Sequence, residues 1–351
     1  MHNQDRHIRH IESELSMIMT SLKRRVCLAW AVTALLGLNH VSHAQDAAAN
    51  YPNKPISFIV PFAPGGSSDT RARQLGQKLS EYLGQPVVVD NKSGGGGNIG
   101  TNLIAKAAPD GYTIGMGNFG PLTVNRTLIP STPYNPQTDL APIALIEKGP
   151  VLLLVNAEKS PHKDLASLLA GLKQSNGKMS FGSSGTGGVY HLTGEYFKSV
   201  MQVSAVHVPY RSGGQMLNDL IAGQVDFAFD MAPSSLPHLQ GATPKLRALA
   251  VGSDKRLPTL PNVPTFAELG YKNMESSNWL GVVAPKGTPE PIIMKLNAAI
   301  NKALQSPDMV QRIAGPGNII GGGSPKAFAD FIASETVRWT KVIKDNHIQG
   351  D

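Results

Sequence analysis

The sequence predicts an α/β fold of about two lobes. The chain has 351 residues, which is too long for one ordinary core. Its composition, 41% apolar and 16% charged, is that of a globular protein. Strand and helix patterns alternate along most of the chain after residue 55, and this order favours largely parallel sheets. Ligands of such sheets bind beyond the C-terminal ends of the strands.

The first strand is predicted at residues 56–62, where an apolar, β-prone run ends in a glycine-rich segment. Helical patterns follow at 70–83 and 98–107. Further strands are predicted at residues 87–89, 112–116, 143–146 and 151–155. Ser160 and Pro161 predict the start of the next helix, with Ser160 as the N-cap and the helix continuing to about residue 174.

The later strands are short and separated by helices. They are predicted at residues 179–181, 205–208, 225–229 and 246–251. The helices are predicted at 189–200, 215–222, 289–305 and 325–344, and residues 278–285 form an extended crossing between the lobes. We therefore expect one lobe to contain residues 45–149 and 276–351, and the other to contain residues 150–275.

The N-terminal 44 residues have the pattern of a cleavable signal peptide. A basic cluster at 23–25 precedes an apolar run at 26–38, and Ser42-His43-Ala44 has the small-x-small form of a cleavage site. Translation starting at Met17 or Met19 would shorten the basic region. The apolar run is about half the length of a bilayer span, which disfavours the alternative of an uncleaved anchor. Cleavage would also remove Cys27, the only cysteine, so the mature protein would have no disulfide or thiolate metal site.

Two glycine-rich loops are the candidate binding elements. Residues 63–69 and 181–188 both lie after a strand and before a helix. Backbone N–H groups at such a helix N-terminus are unpaired and favour anions, so two facing loops would hold the two ends of a small dicarboxylate. Asp69 has two interpretations. It is a first-turn acid of the helix, or it orders the loop or contacts a proton or ammonium group of the ligand.

Other classes of function have less support. Residues 95–100 and 115–120 match the dinucleotide fingerprint but lack the acidic residue expected about 20 positions later, so we expect no cofactor. The histidines show no metal-ligand spacing, and the chain after residue 44 has no dense basic run despite the net charge of +7, so neither a metal nor a nucleic acid is expected. A secreted hydrolase using Ser184 and His191 remains an alternative, although the surrounding residues do not form a G-x-S-x-G motif.

Spaced motifs along the whole mature chain resemble the Bug family, the periplasmic solute receptors of tripartite tricarboxylate transporters. They are Tyr51-Pro52-x-x-Pro55-Ile56, Pro61-Phe62-Ala63-Pro64-Gly65-Gly66 with Asp69, Gly97-Asn98-Ile99-Gly100, Ala108-Pro109-Asp110-Gly111-Tyr112-Thr113, Ser183-Ser184-Gly185 with His191-Leu192, His207-Val208-Pro209-Tyr210, residues 219–226, residues 246–251, residues 260–265, Trp279-x-Gly281, residues 284–289 and Glu335-x-x-x-Trp339.

The resemblance implies a two-lobed periplasmic-binding-protein fold with a hinge and a ligand cleft between the lobes. It also implies a small carboxylate ligand, held largely by backbone N–H groups and ordered waters, and docking of a monomeric receptor on the membrane subunits of a transporter. A receptor that signals to a sensor kinase would use the same fold. The residues expected to contact the ligand are Phe62, Pro64, Gly65, Gly66, Ser67, Asp69, Asn118, Ser183, Ser184, Gly185, Thr186, Tyr210 and Asp230. Residues 119–121 lie where the family varies, so they would tune specificity.

Overall fold

The computed structural model describes residues 50–349. The predicted signal peptide and both candidate start methionines lie outside the described residues. Within them the strands are β1 (Ile56–Val60), β2 (Val87–Asn91), β3 (Thr113–Asn118), β4 (Leu140–Asn156), β5 (Ser180–Ser183), β6 (Val206–Pro209), β7 (Phe227–Met231), β8 (Leu246–Val251), β9 (Ser277–Pro285) and β10 (Ile319–Gly322).

Four helices, at residues 125–128, 136–139, 232–239 and 307–314, were not predicted from the sequence, whereas the others match predicted patterns. The helices lie between most of the strands. They are α1 (Ser67–Leu83), α2 (Asn98–Ala105), α3 (Asn125–Leu128), α4 (Pro136–Asp139), α5 (Leu165–Ser175), α6 (Val189–Met201), α7 (Gly213–Ala222), α8 (Ala232–Leu239), α9 (Glu290–Leu304), α10 (Pro307–Ala314) and α11 (Pro325–Asp345). Short irregular turns at Gly95–Gly97 and Gly120–Val124 precede α2 and α3.

The strands form one continuous sheet in the order β2-β1-β3-β9-β4-β7-β5-β6, with β8 and β10 also paired to β4. The 17-residue strand β4 joins its two parts. Residues 140–150 pair antiparallel with β9, and residues 151–156 pair with β7 and β8. The outer strands are parallel, β2-β1-β3 on one side and β7-β5-β6 on the other. The C-terminal ends of β1, β3 and β5 therefore lead into the loops that the sequence predicts to bind a ligand.

Several boundaries differ from those predicted, and each has a local reason. The strands predicted at 143–146 and 151–155 are parts of β4, which continues through bulges near Pro142 and Leu145. Helix α5 begins at Leu165 with Asp164 as its N-cap, so the N-cap predicted at Ser160 is wrong. The Asp164 carboxylate accepts the Ser167 N–H at 2.7 Å in a reciprocal capping box, which satisfies two backbone donors.

Two further features bear on the class of the protein. Among residues 50–349, no helix combines the length and the apolar character required to cross a bilayer. No group of three or more His, Cys, Asp or Glu side chains in that range has an arrangement that would hold a metal ion.

Candidate functional site

Two cavities meet at Asn278 of β9, where the two parts of the sheet join. The larger has a volume of about 850 Å³ and is lined by the turn before α2, by residues 118–133 and by the start of α6. The smaller has a volume of about 410 Å³ and is lined by the start of α1, by β4 and by residues at the end of β7. Asn278 lines both, so the two cavities are neighbours, and we refer to them together as the cleft.

The predicted site residues divide between these cavities. Phe62, Asn118, Ser184 and Thr186 line the larger one. Gly65 and Ser67 line the smaller one. Pro64 and Gly66 lie beside Gly65 in the same exposed loop, whereas Asp69, Ser183, Gly185, Tyr210 and Asp230 line neither cavity. The structure thus places part of the predicted set in the lining of the cleft and the rest outside that lining.

Asp69 holds the first loop in shape. It is only 4% exposed, and its carboxylate accepts hydrogen bonds from the Gly65 N–H at 2.9 Å, from Arg73 Nε at 3.0 Å and from Asn91 Nδ2 at 3.0 Å. Asn91 Nδ2 also donates to the Phe62 carbonyl oxygen at 3.0 Å. Hydrogen bonding to Arg73 and then to the Gly65 N–H lowers the pKa of Asp69 to about 2. Of the two interpretations of Asp69, these contacts support the one in which it orders the loop.

Two histidines, His191 and His207, form hydrogen bonds with the second glycine-rich loop, residues 181–188. Ser183 is fully buried, and its hydroxyl lies 2.7 Å from His207 Nε2 and donates to the Gly185 carbonyl oxygen at 3.0 Å. The Gly187 N–H donates to His191 Nδ1 at 2.9 Å. The two imidazole rings are stacked with their centroids 3.7 Å apart. The buried position of Ser183 and the bond from His191 to the loop backbone give both residues a structural role.

Two of the helices that begin at the cleft, α1 and α6, have a glycine N-cap in extended conformation. Helix α1 follows Gly66 and α6 follows Gly188, and neither start has a side-chain capping bond. The first-turn N–H groups of a helix have no intrahelical acceptor, and the helix dipole adds partial positive charge there. Gly188 and the first residues of α6 line the larger cavity. The cleft is therefore bordered by backbone donors suited to an anion.

Asp230 lies at the end of β7, as predicted, but it is only 1% exposed. Its Oδ2 accepts hydrogen bonds from Ser234 at 2.5 Å and from Ser235 at 2.8 Å, and it also interacts with the Tyr190 hydroxyl. Burial raises the pKa of Asp230 above its usual range, and the hydrogen bonds from the two serines oppose this rise. Because Tyr190 lines the larger cavity, one side chain separates Asp230 from it.

Tyr210 is placed behind the second loop. Its backbone N–H donates to the Ser183 carbonyl oxygen at 2.9 Å, and its ring packs beside Gly182. Burial and a hydrogen bond to Asp219 raise the pKa of the Tyr210 phenol to about 12. Tyr210 thus fixes the position of residues 182–183 relative to α7.

Asparagine side chains of the larger cavity were not predicted, except Asn118. The others are Asn98, Asn102, Asn125 and Asn278. Among the described residues, no hydrogen-bond partner is found for the buried oxygens of Asn102 and Asn118, which leaves two acceptors for a ligand or for water. The sequence contains only a weak signal for these asparagines, because they come from four separate segments.

Phe119 and Pro121, predicted to tune specificity, also line the larger cavity. Phe119 packs edge-on against Trp339, with a distance of 5.5 Å between the ring centroids.

The smaller cavity contains a buried ion pair. Arg71 Nε and Nη2 donate to the two Glu147 carboxylate oxygens at 3.0 and 2.8 Å. Asn318 Nδ2 also donates to Glu147 at 2.9 Å, and Arg71 Nη1 donates to Gln74 Oε1 at 2.6 Å. The guanidinium is thus neutralised by the protein itself, so it ties α1 to β4 rather than offering an uncompensated charge to a ligand.

The comparisons with known proteins identify the family. The model of the tripartite tricarboxylate transporter family receptor matches residues 71–348. The chain belongs to this receptor family. The receptor is 40% identical over 303 residues to Protein BugT of Bordetella pertussis, an alignment that covers 86% of this chain and 92% of BugT. This relative supports the resemblance to the Bug family.

Solved structures of relatives have the same fold. A protein of Rhodopseudomonas palustris described as Rpa4515 with adipate is 36% identical, with a TM-score of 0.73 over 86% of this receptor and all of that chain. MatC of the same organism, with bound malate, is 33% identical, with a TM-score of 0.69 over 84% of the receptor and all of that chain. The predicted α/β periplasmic-binding-protein fold is therefore confirmed.

The comparisons also decide between the broad classes of function. The relatives are solute-binding receptors, and receptors of this type are periplasmic. The receptor is not an enzyme, so the hydrolase alternative with Ser184 and His191 is wrong. The contacts agree, because His191 Nδ1 already accepts the Gly187 N–H.

Proposed function

We propose that the receptor binds a small organic carboxylate in the cleft and delivers it to the membrane subunits of a tripartite tricarboxylate transporter. Export to the periplasm would use residues 1–44 as a signal peptide. The lobes that close on the ligand are residues 45–149 with 276–351, and residues 150–275. The long strand β4 and its partner β9 connect them, so these two strands are the natural hinge.

The observation that carries this proposal is that α1 and α6 begin at the cleft behind glycine N-caps and have no side-chain cap. Helices α5, α7 and α11, whose starts line neither cavity, are capped by a side chain, whereas α9 and α10 also start away from the cavities and have no such cap. Asp164 caps α5, Ser212 caps α7 and Ser324 caps α11. Helices α1 and α6 follow glycines in extended conformation at the cleft and have no such bond. A bare start leaves the first-turn N–H groups accessible to an anionic ligand.

Backbone geometry does not require either glycine. Gly66 has φ −76° and Gly188 has φ −72°, values that every residue adopts. An added Cβ would meet only the Ala63 carbonyl oxygen at 3.6 Å or the Gly185 carbonyl oxygen at 3.6 Å, which is ordinary contact. Serine or aspartate would fit at both positions and would cap the helix. We infer that glycine serves here to keep the amides open.

Energetics and relatives support a carboxylate as the anion. Charged hydrogen bonds contribute about 1.5–3 kcal/mol each, so three or four of them, less the ordering costs, give micromolar affinity, or about −8 kcal/mol. Related structures contain adipate and malate. Bridging waters would let the same loops accept acids of different length.

A thermal-shift screen followed by calorimetric titration tests the proposal. The panel pairs each carboxylate with its uncharged amide, for example adipate with adipamide, so that only the charge changes. We expect carboxylates to raise the melting temperature and amides to leave it unchanged. Equal shifts from both members of a pair, or no shift from any acid, would overturn carboxylate binding. Delivery is tested separately by uptake into proteoliposomes that contain the transporter subunits.

A further inference from the structure

We propose that the preferred ligand has one carboxylate and an elongated apolar body, an alkyl or aryl monocarboxylate. This inference rests on the proposed function and narrows its ligand class. The carboxylate would bind at the start of α6. The body would lie in an apolar trough, defined as the part of the larger cavity lined by Ile99, Leu103, Leu128, Ile129 and Pro133.

The larger cavity is uncharged. Among the described residues that line it, none is Asp, Glu, Lys, Arg or His. Two of its asparagines already use their amide donors within the protein. Asn125 Nδ2 donates to the Gly96 carbonyl oxygen at 3.1 Å and to Asn98 Oδ1 at 2.8 Å, and Asn98 Nδ2 donates to Thr132 at 3.3 Å. A second carboxylate inside this cavity would lose hydration without gaining a charged partner.

The trough exposes apolar side chains that a ligand would cover. Ile99 is 55% exposed and Leu103 is 44% exposed, and their spacing of four places both on one side of α2. Large exposed apolar residues beside a cavity are typical of ligand-binding grooves. The α6 amides and these apolar side chains line the same cavity, which matches a molecule with one polar end and an apolar body.

The cavity volume agrees with an elongated ligand. Sites for drug-sized molecules enclose about 300–1,000 Å³, and this cavity, at about 850 Å³, lies in the upper part of that range. A four-carbon acid would leave most of this volume to water. A longer apolar body would displace water from the trough, and each methylene buried there should tighten binding about fourfold.

Calorimetric titration with two matched series tests the inference. One series is acetate, butyrate, hexanoate and octanoate, and the other is succinate, adipate and suberate. We expect Kd to fall about fourfold per added methylene in the first series until the trough is filled, and each diacid to bind more weakly than the monoacid of equal length. Tight diacid binding with a monoacid Kd independent of length would overturn this inference and leave the proposed function standing. Absence of binding in both series would overturn both.

The variant Leu103→Gln tests whether the apolar body of the ligand lies in the trough. Leu103→Gln keeps a good helix former at an exposed position, so folding should be unaffected. We expect octanoate to bind at least fivefold more weakly while acetate is unchanged. The matched control is Val337→Gln on α11, which replaces a residue that is 72% exposed and outside the cavity. Equal loss of octanoate binding in both variants, or none in Leu103→Gln, would show that the body does not lie in the trough.

Discussion

Replacing Gly188 with aspartate separates helix stability from ligand binding. Gly188 has φ −72° and ψ 167°, which is ordinary extended backbone. An added Cβ would lie 3.6 Å from the Gly185 carbonyl oxygen, so an aspartate fits without displacing the loop. Its carboxylate would accept the N–H of Tyr190 or His191, the second and third residues of α6. The substituted side chain would thus occupy the donors that we assign to the ligand.

The two effects have opposite signs. An aspartate cap improves on glycine by a few tenths of a kcal/mol, and the helix dipole adds about 0.3–1 kcal/mol, so the melting temperature should rise by about 2 °C. Binding loses two charge-assisted hydrogen bonds, about 3–6 kcal/mol, and gains repulsion between two carboxylates. The ligand affinity should therefore fall at least about 100-fold.

The assay combines thermal unfolding of the ligand-free receptor with calorimetric titration of the carboxylate that binds best. Gly188→Ala is the matched control, because it adds the same Cβ without charge and should bind within a few-fold of the parent. Ser306→Asp is a distant control at the uncapped start of α10, and it should leave binding unchanged. A Gly188→Asp receptor that is stabilised yet binds the acid normally would refute anion binding at α6.

Three further substitutions test the supports of the cleft. Asp69→Asn should lower the free energy of unfolding in urea by about 1–3 kcal/mol. The pKa of Asp69 is lower in the folded than in the unfolded protein, so its carboxylate stabilises the fold fully above the unfolded-state pKa of about 4 and loses this effect as pH falls through the folded-state pKa of about 2. The difference between the variant and the parent should therefore shrink as pH falls from about 4 towards 2. Gly187→Ala should cost about 1–3 kcal/mol in thermal unfolding and weaken binding, because φ is +73° and the new Cβ would lie 2.9 Å from Leu128 Cδ1. Glu147→Gln should cost about 3–5 kcal/mol in urea by leaving Arg71 buried without a counter-charge.

Each of the three substitution predictions would be contradicted by a specific result. A pH-independent difference for Asp69→Asn would show that its ion pair does not order the loop. Normal stability of Gly187→Ala would mean that the loop relaxes freely. For the ion pair, the double variant Arg71→Met with Glu147→Leu is the control and should recover much of the lost stability. Failure of Glu147→Gln to destabilise would show that the pair is not buried in solution.

Local features of the fold could be predicted from the sequence. Each of these signals is contained in a short stretch of sequence. They are the apolar run before the first loop, the helical pattern after it, and the second glycine-rich segment with its own flanking strand and helix. The structure accordingly contains β1, α1, β5 and α6 close to the predicted positions. Competition between nearby capping residues was harder to judge. Both Ser160 and Asp164 are good N-caps, and the reciprocal bond with Ser167 decides for Asp164.

Features that depend on distant contacts could not be predicted. Asn278 lines both cavities because it pairs with Gly149 of β4, next to the point where the two parts of the sheet meet, and no local pattern marks that residue. Asp230 was expected at the cleft from its place at a strand end. Ser234 and Ser235 on the following helix enclose its carboxylate instead. In α2, the spacing of Ile99 and Leu103 resembles a core face, but the core contact of that helix is made by Ile104.

The absence of side-chain N-caps at α1 and α6 links the stability of these helices to ligand binding. Replacing a good N-cap by one without a side-chain bond costs a helix a few tenths to about 2 kcal/mol, and the receptor accepts this at both α1 and α6. Local choices that disagree with helix stability are expected at functional sites. A bound carboxylate would itself accept the first-turn N–H groups and so complete the caps. The ligand should therefore stabilise the receptor by about 2.7 kcal/mol at 100 times its Kd, and the α6 contribution should be lost when Gly188 carries its own carboxylate.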